Sequence, residues 1–269
     1  MSRIGERFDA LKADGRKALV CFITAGDGGT ETTLAAMHSM VEAGADIIEL
    51  GLPFSDPMAD GPVIQLSSER ALGRQTRVDD VFSVVRQFRD SNSETPVILM
   101  GYTNPIEARG AAKFAGDAAA AGVDGIITVD LPPEEAGDVL TAFRAEGIDP
   151  VFLVAPTTTT ERAQAICNES GGFVYFVAVK GVTGTRQATA ADVGVHVETL
   201  RKATNLPVGV GFGIRDAESA KAMAGVCDAV IVGSALVECF ARSEDSPHEI
   251  PAELARLVRE LRAGIDAAA

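Results

Sequence analysis

The sequence predicts a single (β/α)8 barrel with an extra helix at its N-terminus. Short apolar segments rich in valine and isoleucine recur eight times along the 269-residue chain, and segments with helical periodicity lie between them. This alternation indicates a parallel sheet that is covered by helices. Eight strand–helix units favour closure into a barrel over an open doubly wound sheet, which more often has about five to seven strands. We expect residues 1–269 to form one domain, because barrels of about 250 residues bury a single core.

The predicted elements follow in order along the chain. Ile4, Phe8 and Leu11 lie on one face of the N-terminal helix. The predicted strands are ALVCFITAG, ADIIELGLPF, PVILMGY, GIITVD, PVFLVAP, FVYFVAV, PVGVGFG and DAVIVGS. Thr30 marks the helix after the first strand, and Asp216 is suited to cap the helix after the seventh. The final amphipathic stretch predicts an outer helix through Leu254, Leu257, Val258 and Leu261.

Composition and charge argue against several classes of function. The net charge is −14 and no basic run occurs, whereas a nucleic-acid partner requires clustered lysine and arginine. The four cysteines are far apart, without a CxxC pair or a neighbouring histidine cluster, so neither a metal site nor a disulfide framework is predicted. No apolar run approaches about 18 residues, and the N-terminus lacks the apolar core of a signal peptide. We therefore expect a cytoplasmic protein without a membrane span.

In a barrel of this kind the active site lies at the C-terminal ends of the strands. Apart from glycines and Ser234, the polar residues expected there are Thr24, Asp27, Glu49, Asp56, Asp60, Tyr102, Asn104, Asp130, Tyr175, Lys180 and Thr183. The histidines lie elsewhere, His38 and His196 in predicted helices and His248 before the last helix. Carboxylates must therefore carry any proton transfer.

Glu49 is the most informative of these residues. It lies within the second predicted strand, where an unpaired carboxylate is costly. Because alternate residues of a strand face opposite sides, Ile48 and Leu50 should meet the outer helices and Glu49 the barrel interior. Burial there would raise the pKa of Glu49, as a residue that exchanges protons near neutral pH requires. The alternative is an interior ion pair with a lysine or arginine.

Asp60 lies on the long loop LPFSDPMADGP, whose proline-flanked aspartates suit a mobile segment over the strand ends. It directly precedes Gly61-Pro62, where a helix can begin, so it is either a helix cap or a second catalytic carboxylate. Spacing alone leaves both roles open. Asp56, on the same loop, either caps locally or faces a partner.

A phosphate site is predicted at the last two strands. Gly211, Gly213, Gly233 and Ser234 place backbone N–H groups at adjacent strand ends, where barrels commonly bind phosphate together with a short helix N-terminus. The alternative is that the glycines only allow tight turns between strand and helix. Two such turns side by side favour phosphate binding.

The loop KGVTGTRQATAADV after the sixth strand suits a lid that closes over a substrate, or else a plain connector. Lys180 allows a rival chemistry, because a desolvated lysine there can form a Schiff base with a ketone. That chemistry leaves the carboxylate in the second strand unexplained.

Four segments, in order and over essentially the whole chain, resemble the tryptophan synthase α chain family: RFDALKADGRKALVCFITAGD, GADIIELGLPFSDPMADGPVIQ, GVTG and GFGI. The second is highly specific. The resemblance implies that Glu49 and Asp60 are the two catalytic carboxylates and that Thr183 orders the lid against Asp60. One departure is FVAVK before GVTG, where the family commonly carries a serine, so Ala178 and Lys180 are atypical.

The strand-end residues and the resemblance together give an expected substrate site. The resemblance implies substrate contacts at Phe22, Met100, Ile127, Leu153, Tyr175, Thr183 and Phe212, and the strand-end residues add Tyr102. The expected phosphate contacts are Gly184, Gly211, Gly213, Gly233 and Ser234.

The reaction that the resemblance implies is a retro-aldol cleavage, a lyase step of tryptophan biosynthesis. It splits indole-3-glycerol phosphate into indole and glyceraldehyde 3-phosphate. No cofactor is expected in this chain, because the indole ring, protonated at C3, is the electron sink. We hypothesise that Asp60 accepts a hydrogen bond from the indole N–H, while Glu49 protonates C3 and deprotonates the glycerol hydroxyl.

The resemblance further implies a partner, a pyridoxal-phosphate (PLP) β subunit that receives indole within an α2β2 heterotetramer. Interface candidates on the mouth loops are Asp56, Pro57, Asn104 and Leu131, which are otherwise ordinary turn residues. Three hypotheses remain: a lyase that works with the β subunit or stands alone, a Schiff-base aldolase that uses Lys180, and a barrel that binds a partner without catalysis.

Overall fold

The strands fall on the predicted apolar segments. The computed structural model describes residues 2–178 and 189–268 of the chain. Its strands are β1 (Ala18–Thr24), β2 (Ile47–Gly51), β3 (Val97–Gly101), β4 (Gly125–Thr128), β5 (Asp149–Pro150), β6 (Leu153–Val154), β7 (Val174–Val177), β8 (Val208–Gly211) and β9 (Ala229–Val232). All pair in parallel, in the order β5-β4-β3-β2-β1-β9-β8-β7-β6.

The fifth predicted strand is divided into the two short pieces β5 and β6. The first pairs with β4 and the second with β7. Between them, the N–H of Val151 donates to the carbonyl of Ile126 at 2.8 Å, and the N–H of Tyr175 donates to the carbonyl of Phe152 at 3.1 Å. The two ends of the sheet therefore meet across this segment, which confirms the (β/α)8 barrel.

The helices also follow the predicted signals. They are α1 (Arg3–Ala13), α2 (Thr30–Glu42), α3 (Pro62–Gly73), α4 (Val78–Arg89), α5 (Thr103–Arg109), α6 (Ala111–Ala121), α7 (Gly137–Ala145), α8 (Thr160–Glu169), α9 (Ala190–Ala203), α10 (Ala217–Ala224), α11 (Ser234–Arg242) and α12 (Ile250–Asp266), with short 3-10 helices at Pro133–Glu135 and Pro247–Glu249. Asp216 caps α10 by accepting the N–H of Ser219 at 2.8 Å. None of the helices within 2–178 and 189–268 combines the length and the apolar character that crossing a membrane requires.

Two apolar clusters lie on opposite faces of the sheet. The outer cluster, between strands and helices, contains Ile48 and Leu50. The inner cluster, inside the barrel, contains Val20, Ile47 and Ile98. This division confirms the predicted alternation in β2. It leaves the residue between Ile48 and Leu50 on the inner face, because side chains alternate along a strand.

Helix α1 closes the N-terminal end of the barrel with its predicted apolar face. Ile4, Phe8 and Leu11 are buried and belong to the inner cluster. The ring centroid of Phe8 lies 5.8 Å from that of Phe173. Ile4 occupies space left by Gly125, where a Cβ atom would lie 2.9 Å from the Ile4 side chain. The extra helix therefore covers the N-terminal end of the barrel.

Aspartates reinforce this closed end. The carboxylates of Asp46, Asp124 and Asp228 each accept a backbone N–H from the neighbouring strand, at distances of 2.8 to 3.0 Å. From α1, Arg7 pairs with Asp46, and Arg3 pairs with Asp124 at 2.6 Å. These contacts fix α1 at the end of the barrel opposite to the one where chemistry is expected.

Candidate active site

Glu49 is a buried carboxyl without a partner. Its side chain is 1% exposed, and neither carboxyl oxygen has a hydrogen-bond partner among residues 2–178 and 189–268. No lysine or arginine in those ranges forms the interior ion pair that was the alternative. Burial, and to a smaller extent the negative charge of Asp60, raises the pKa of Glu49 to about 8. Such a carboxyl is protonated at neutral pH and still able to give up its proton.

Asp60 does not cap the helix that follows it. The N-cap residue of α3 is Gly61, and no side chain makes a capping hydrogen bond there. Asp60 instead lines a cleft at the barrel mouth together with Phe22 and Tyr102. Burial raises the pKa of Asp60, and a hydrogen bond with the Tyr102 hydroxyl lowers it in part. Of the two roles left open by spacing, the cap is excluded.

This mouth cleft brings several predicted substrate residues together. It is lined by Phe22, Thr24, Gly51, Leu52, Asp60, Ile64, Ser68, Met100, Gly101 and Tyr102. Phe22 lies against Gly51, where a Cβ atom would come within 2.8 Å of the ring. Ile64 and Ser68 project from α3, so they are not among the site residues predicted from the strand ends. The sequence signal for them is a four-residue spacing, since Ile64 follows Asp60 by four residues and Ser68 follows Ile64 by four.

Tyr175 lies near both carboxyl groups. Burial and then the charges of Glu49 and Asp60 raise the pKa of its hydroxyl well above the usual value. Gly211 makes room for it, because a Cβ atom there would lie 2.9 Å from the Tyr175 hydroxyl. The phenol of Tyr175 therefore stays protonated at neutral pH, within the electrostatic reach of the two candidate catalytic groups.

The other predicted pocket walls divide between the two clusters. Ile127 is buried in the inner cluster, and Met100 and Leu153 pack against that cluster. Phe212 is half-buried and packs against the outer cluster instead. Its contact with the substrate stays a prediction.

The predicted phosphate residues lie at neighbouring strand ends. Strand β8 ends at Gly211, and the adjacent β9 is followed by Gly233 and then by Ser234, the first residue of α11. Gly213 has a φ of +58°, in the left-handed region that glycine adopts readily. The first N–H groups of a helix lack partners within the helix, so those of α11 are suited to bind an anion.

Some predictions fall outside the described residues. Lys180, Thr183 and Gly184 are among them, as is most of the predicted lid. Ala178, the atypical residue before the lid, is buried and donates its N–H to the carbonyl of Gly211 at 3.1 Å. In the described part of the chain, no three His, Cys, Asp or Glu side chains are grouped as a metal site would need.

The interface candidates lie on the segments that follow β2, β3 and β4. Asp56 and Asn104 are exposed, whereas Pro57 and Leu131 are half-buried. Met58, beside Pro57, is an apolar side chain that is 83% exposed.

Comparisons with known proteins agree over the whole chain. The model of one family, described as tryptophan synthase alpha chain, matches residues 8–266. The tryptophan synthase alpha chain of Alkalilimnicola ehrlichii is 56% identical over 266 residues, covering 99% of this chain and 97% of its own. That of Marinobacter nauticus is 54% identical over 269 residues, covering 100% of both.

Solved structures give the same result. Tryptophan synthase subunit alpha from Legionella pneumophila matches with a TM-score of 0.93 and 42% identity, covering 99% of both chains. A chain of aminoacrylate-bound tryptophan synthase from M. tuberculosis matches with a TM-score of 0.88 and 37% identity, covering 98% of this chain and 100% of that one. Since the family model, the relatives and the solved structures agree from end to end, the chain belongs to the tryptophan synthase alpha chain family.

Proposed function

We propose that this chain cleaves indole-3-glycerol phosphate into indole and glyceraldehyde 3-phosphate. The observation that carries the proposal is the buried, unpartnered Glu49, whose pKa of about 8 is raised partly by the charge of Asp60 at the barrel mouth. The family membership supports the same reaction.

Glu49 performs both proton transfers in the proposed mechanism. The protonated carboxyl first delivers its proton to C3 of the indole ring, which leaves a positive charge on the ring nitrogen. The resulting carboxylate then removes the proton of the hydroxyl on the carbon attached to C3. As that hydroxyl becomes the aldehyde, the bond from its carbon to C3 breaks and its electron pair returns to the ring. Indole keeps the first proton at C3, and Glu49 ends protonated as it began.

Asp60 stabilises the charge that develops during these steps. As a carboxylate it accepts a hydrogen bond from the indole N–H, and this bond becomes stronger when the nitrogen is positive. Asp60 must therefore be ionised while Glu49 is protonated. The burial of Glu49, which exceeds that of Asp60, supports this division.

The remaining site residues hold the two ends of the substrate in this proposal. Backbone N–H groups at Gly211, Gly213, Gly233 and Ser234 bind the phosphate, with Gly184 from the lid. Apolar walls enclose the ring; they are Phe22, Met100, Ile127, Leu153 and Phe212, with Tyr102, Tyr175 and Thr183 as polar neighbours.

The proposed partner is a PLP-dependent β subunit in an α2β2 heterotetramer in the cytoplasm. It would receive indole at the mouth, where Asp56, Pro57, Asn104 and Leu131 are the proposed contacts. The exposed Met58 adds apolar surface there.

The test is release of indole from indole-3-glycerol phosphate by the purified chain, alone and with a tryptophan synthase β subunit. We expect cleavage that the β subunit accelerates, and no indole under either condition would overturn the proposal. Equal rates would instead identify a lyase that stands alone. Borohydride trapping of a substrate adduct on Lys180 would replace the mechanism with Schiff-base chemistry.

A further inference from the structure

The loop that carries Asp60 is held by two side chains outside it. We propose that Tyr102 and Gln65 are positioning residues for Asp60: Tyr102 holds the loop and the carboxylate through its hydroxyl, and Gln65 holds the loop backbone through its carboxamide. The inference rests on the proposed function, because it concerns how Asp60 is kept ready for the cleavage.

Tyr102 reaches the loop from the end of β3. It is 3% exposed, and its ring stacks on Phe54 with 5.1 Å between centroids. Its hydroxyl oxygen accepts the N–H of Ala59 at 3.0 Å. The hydroxyl also lies close enough to the Asp60 carboxylate for a hydrogen bond between the two side chains to lower the pKa of Asp60. A tyrosine hydroxyl has a single proton to donate, so a bond to Asp60 uses that proton while the ring of Tyr102 stays in the wall of the mouth cleft.

Gln65 reaches the same loop from α3. Its Nε2 donates to the carbonyl of Asp60 at 2.9 Å and to that of Pro57 at 3.5 Å. The N–H of Asp60 donates to the same Pro57 carbonyl at 3.0 Å. The backbone of Asp60 is thus fixed from one side by α3 and from the other by Tyr102.

The two contacts differ in one respect that can be measured. A catalytic group on a loop must be held within about 0.5 Å of its productive position, so either contact contributes to rate. Of the two side chains, Tyr102 is the one whose hydroxyl also acts on the carboxylate, because a hydrogen bond with it lowers the pKa of Asp60 against the larger effect of burial. Gln65 bonds to carbonyl oxygens alone and has no such effect.

The experiment compares Tyr102→Phe, which keeps the ring, with Gln65→Met, which keeps the length of the side chain. Steady-state cleavage is measured from pH 5 to 9 beside the wild type. We expect kcat to fall about tenfold to a hundredfold in both variants, with little change in KM. The acidic limb of kcat/KM should move to higher pH in Tyr102→Phe alone, because Asp60 then protonates more readily. Glu49 on β2 and Tyr175 on β7, the other titratable groups that face Asp60 among the described residues, are present in both variants.

A wild-type kcat in Tyr102→Phe, or a rise in KM alone, would overturn the positioning role of Tyr102. A wild-type kcat in Gln65→Met would overturn that of Gln65. The titration of the Asp60 carboxyl, followed by carbon-13 NMR and assigned with Asp60→Asn, is independent of turnover. An unchanged titration in Tyr102→Phe refutes the carboxylate contact even if the chain cleaves nothing, whereas an inactive wild type contradicts the proposed function only.

Discussion

Replacement of Glu49 by glutamine should make the protein more stable at alkaline pH while it removes activity. The pKa of this carboxyl is raised from 4.5 to about 8, so its ionised form costs the folded state about 5 kcal/mol. The unfolded chain loses the proton above pH 4.5 and the folded chain keeps it until about pH 8, so the free energy of unfolding falls as the pH rises through this window. Glutamine keeps the shape and cannot ionise. We therefore expect Glu49→Gln to exceed the wild type by about 1 kcal/mol at pH 5 and about 4 kcal/mol at pH 8.

Urea unfolding at intervals between pH 5 and 8.5 measures this difference. It should grow by about 1.4 kcal/mol per pH unit until it levels off near the pKa. Glu260→Gln, which removes an exposed carboxyl on α12, is the matched control. Indole release by Glu49→Gln should fall by about 100-fold to 10,000-fold, the usual contribution of a general acid and base. A stability difference that does not vary with pH would refute the burial argument, and retained turnover would refute the catalytic role.

Three further substitutions follow from other contacts. Asp60→Asn should nearly abolish cleavage yet still bind a phosphate-bearing substrate analogue that cannot be cleaved. It should also shift the NMR titration of Glu49 to lower pH because a neighbouring negative charge is lost; an unmoved titration contradicts the coupling. Gly211→Ala should lower kcat/KM at least about tenfold, because the new Cβ would lie 2.9 Å from the Tyr175 hydroxyl and overpacking typically costs about 1 to 3 kcal/mol; full activity would show that the ring is free to move. Phe8→Ala should lower the free energy of unfolding by about 3 to 5 kcal/mol in urea without changing kcat of the folded protein; a loss of kcat at full folding would mean that α1 acts on the site.

The strands and Glu49 could be predicted for the same physical reason. A buried parallel strand is an apolar run, and a charged residue within such a run needs an explanation. The division of the fifth strand could not be predicted in this way, because PVFLVAP is apolar throughout. The strand to which each of its peptide groups bonds depends on how the barrel closes. The only local signal is Pro150, which has no N–H to donate.

The aspartates that follow the strands show more clearly what cannot be predicted from the sequence. Asp60 precedes a helix and does not cap it, whereas Asp130 accepts hydrogen bonds from the first residue of a helix distant in sequence. The carboxylate of Asp130 accepts the N–H and the hydroxyl of Thr103, at the start of α5, at 2.8 and 2.9 Å. Spacing fixes which element an aspartate follows, but the direction of its side chain is set by the packing of separate units.

Because α1 covers the N-terminal end of the barrel, it can pack only after later parts of the chain have been synthesised. This helix is made before the strands of the barrel, yet Phe8 packs on Phe173 and Arg3 pairs with Asp124, which are made far later. Contacts of such long sequence separation form slowly, because the loop between them must close first. We therefore expect the apolar face of α1 to stay open to solvent and chaperones until β7 has left the ribosome, so that chains truncated before this strand aggregate through their own N-terminus.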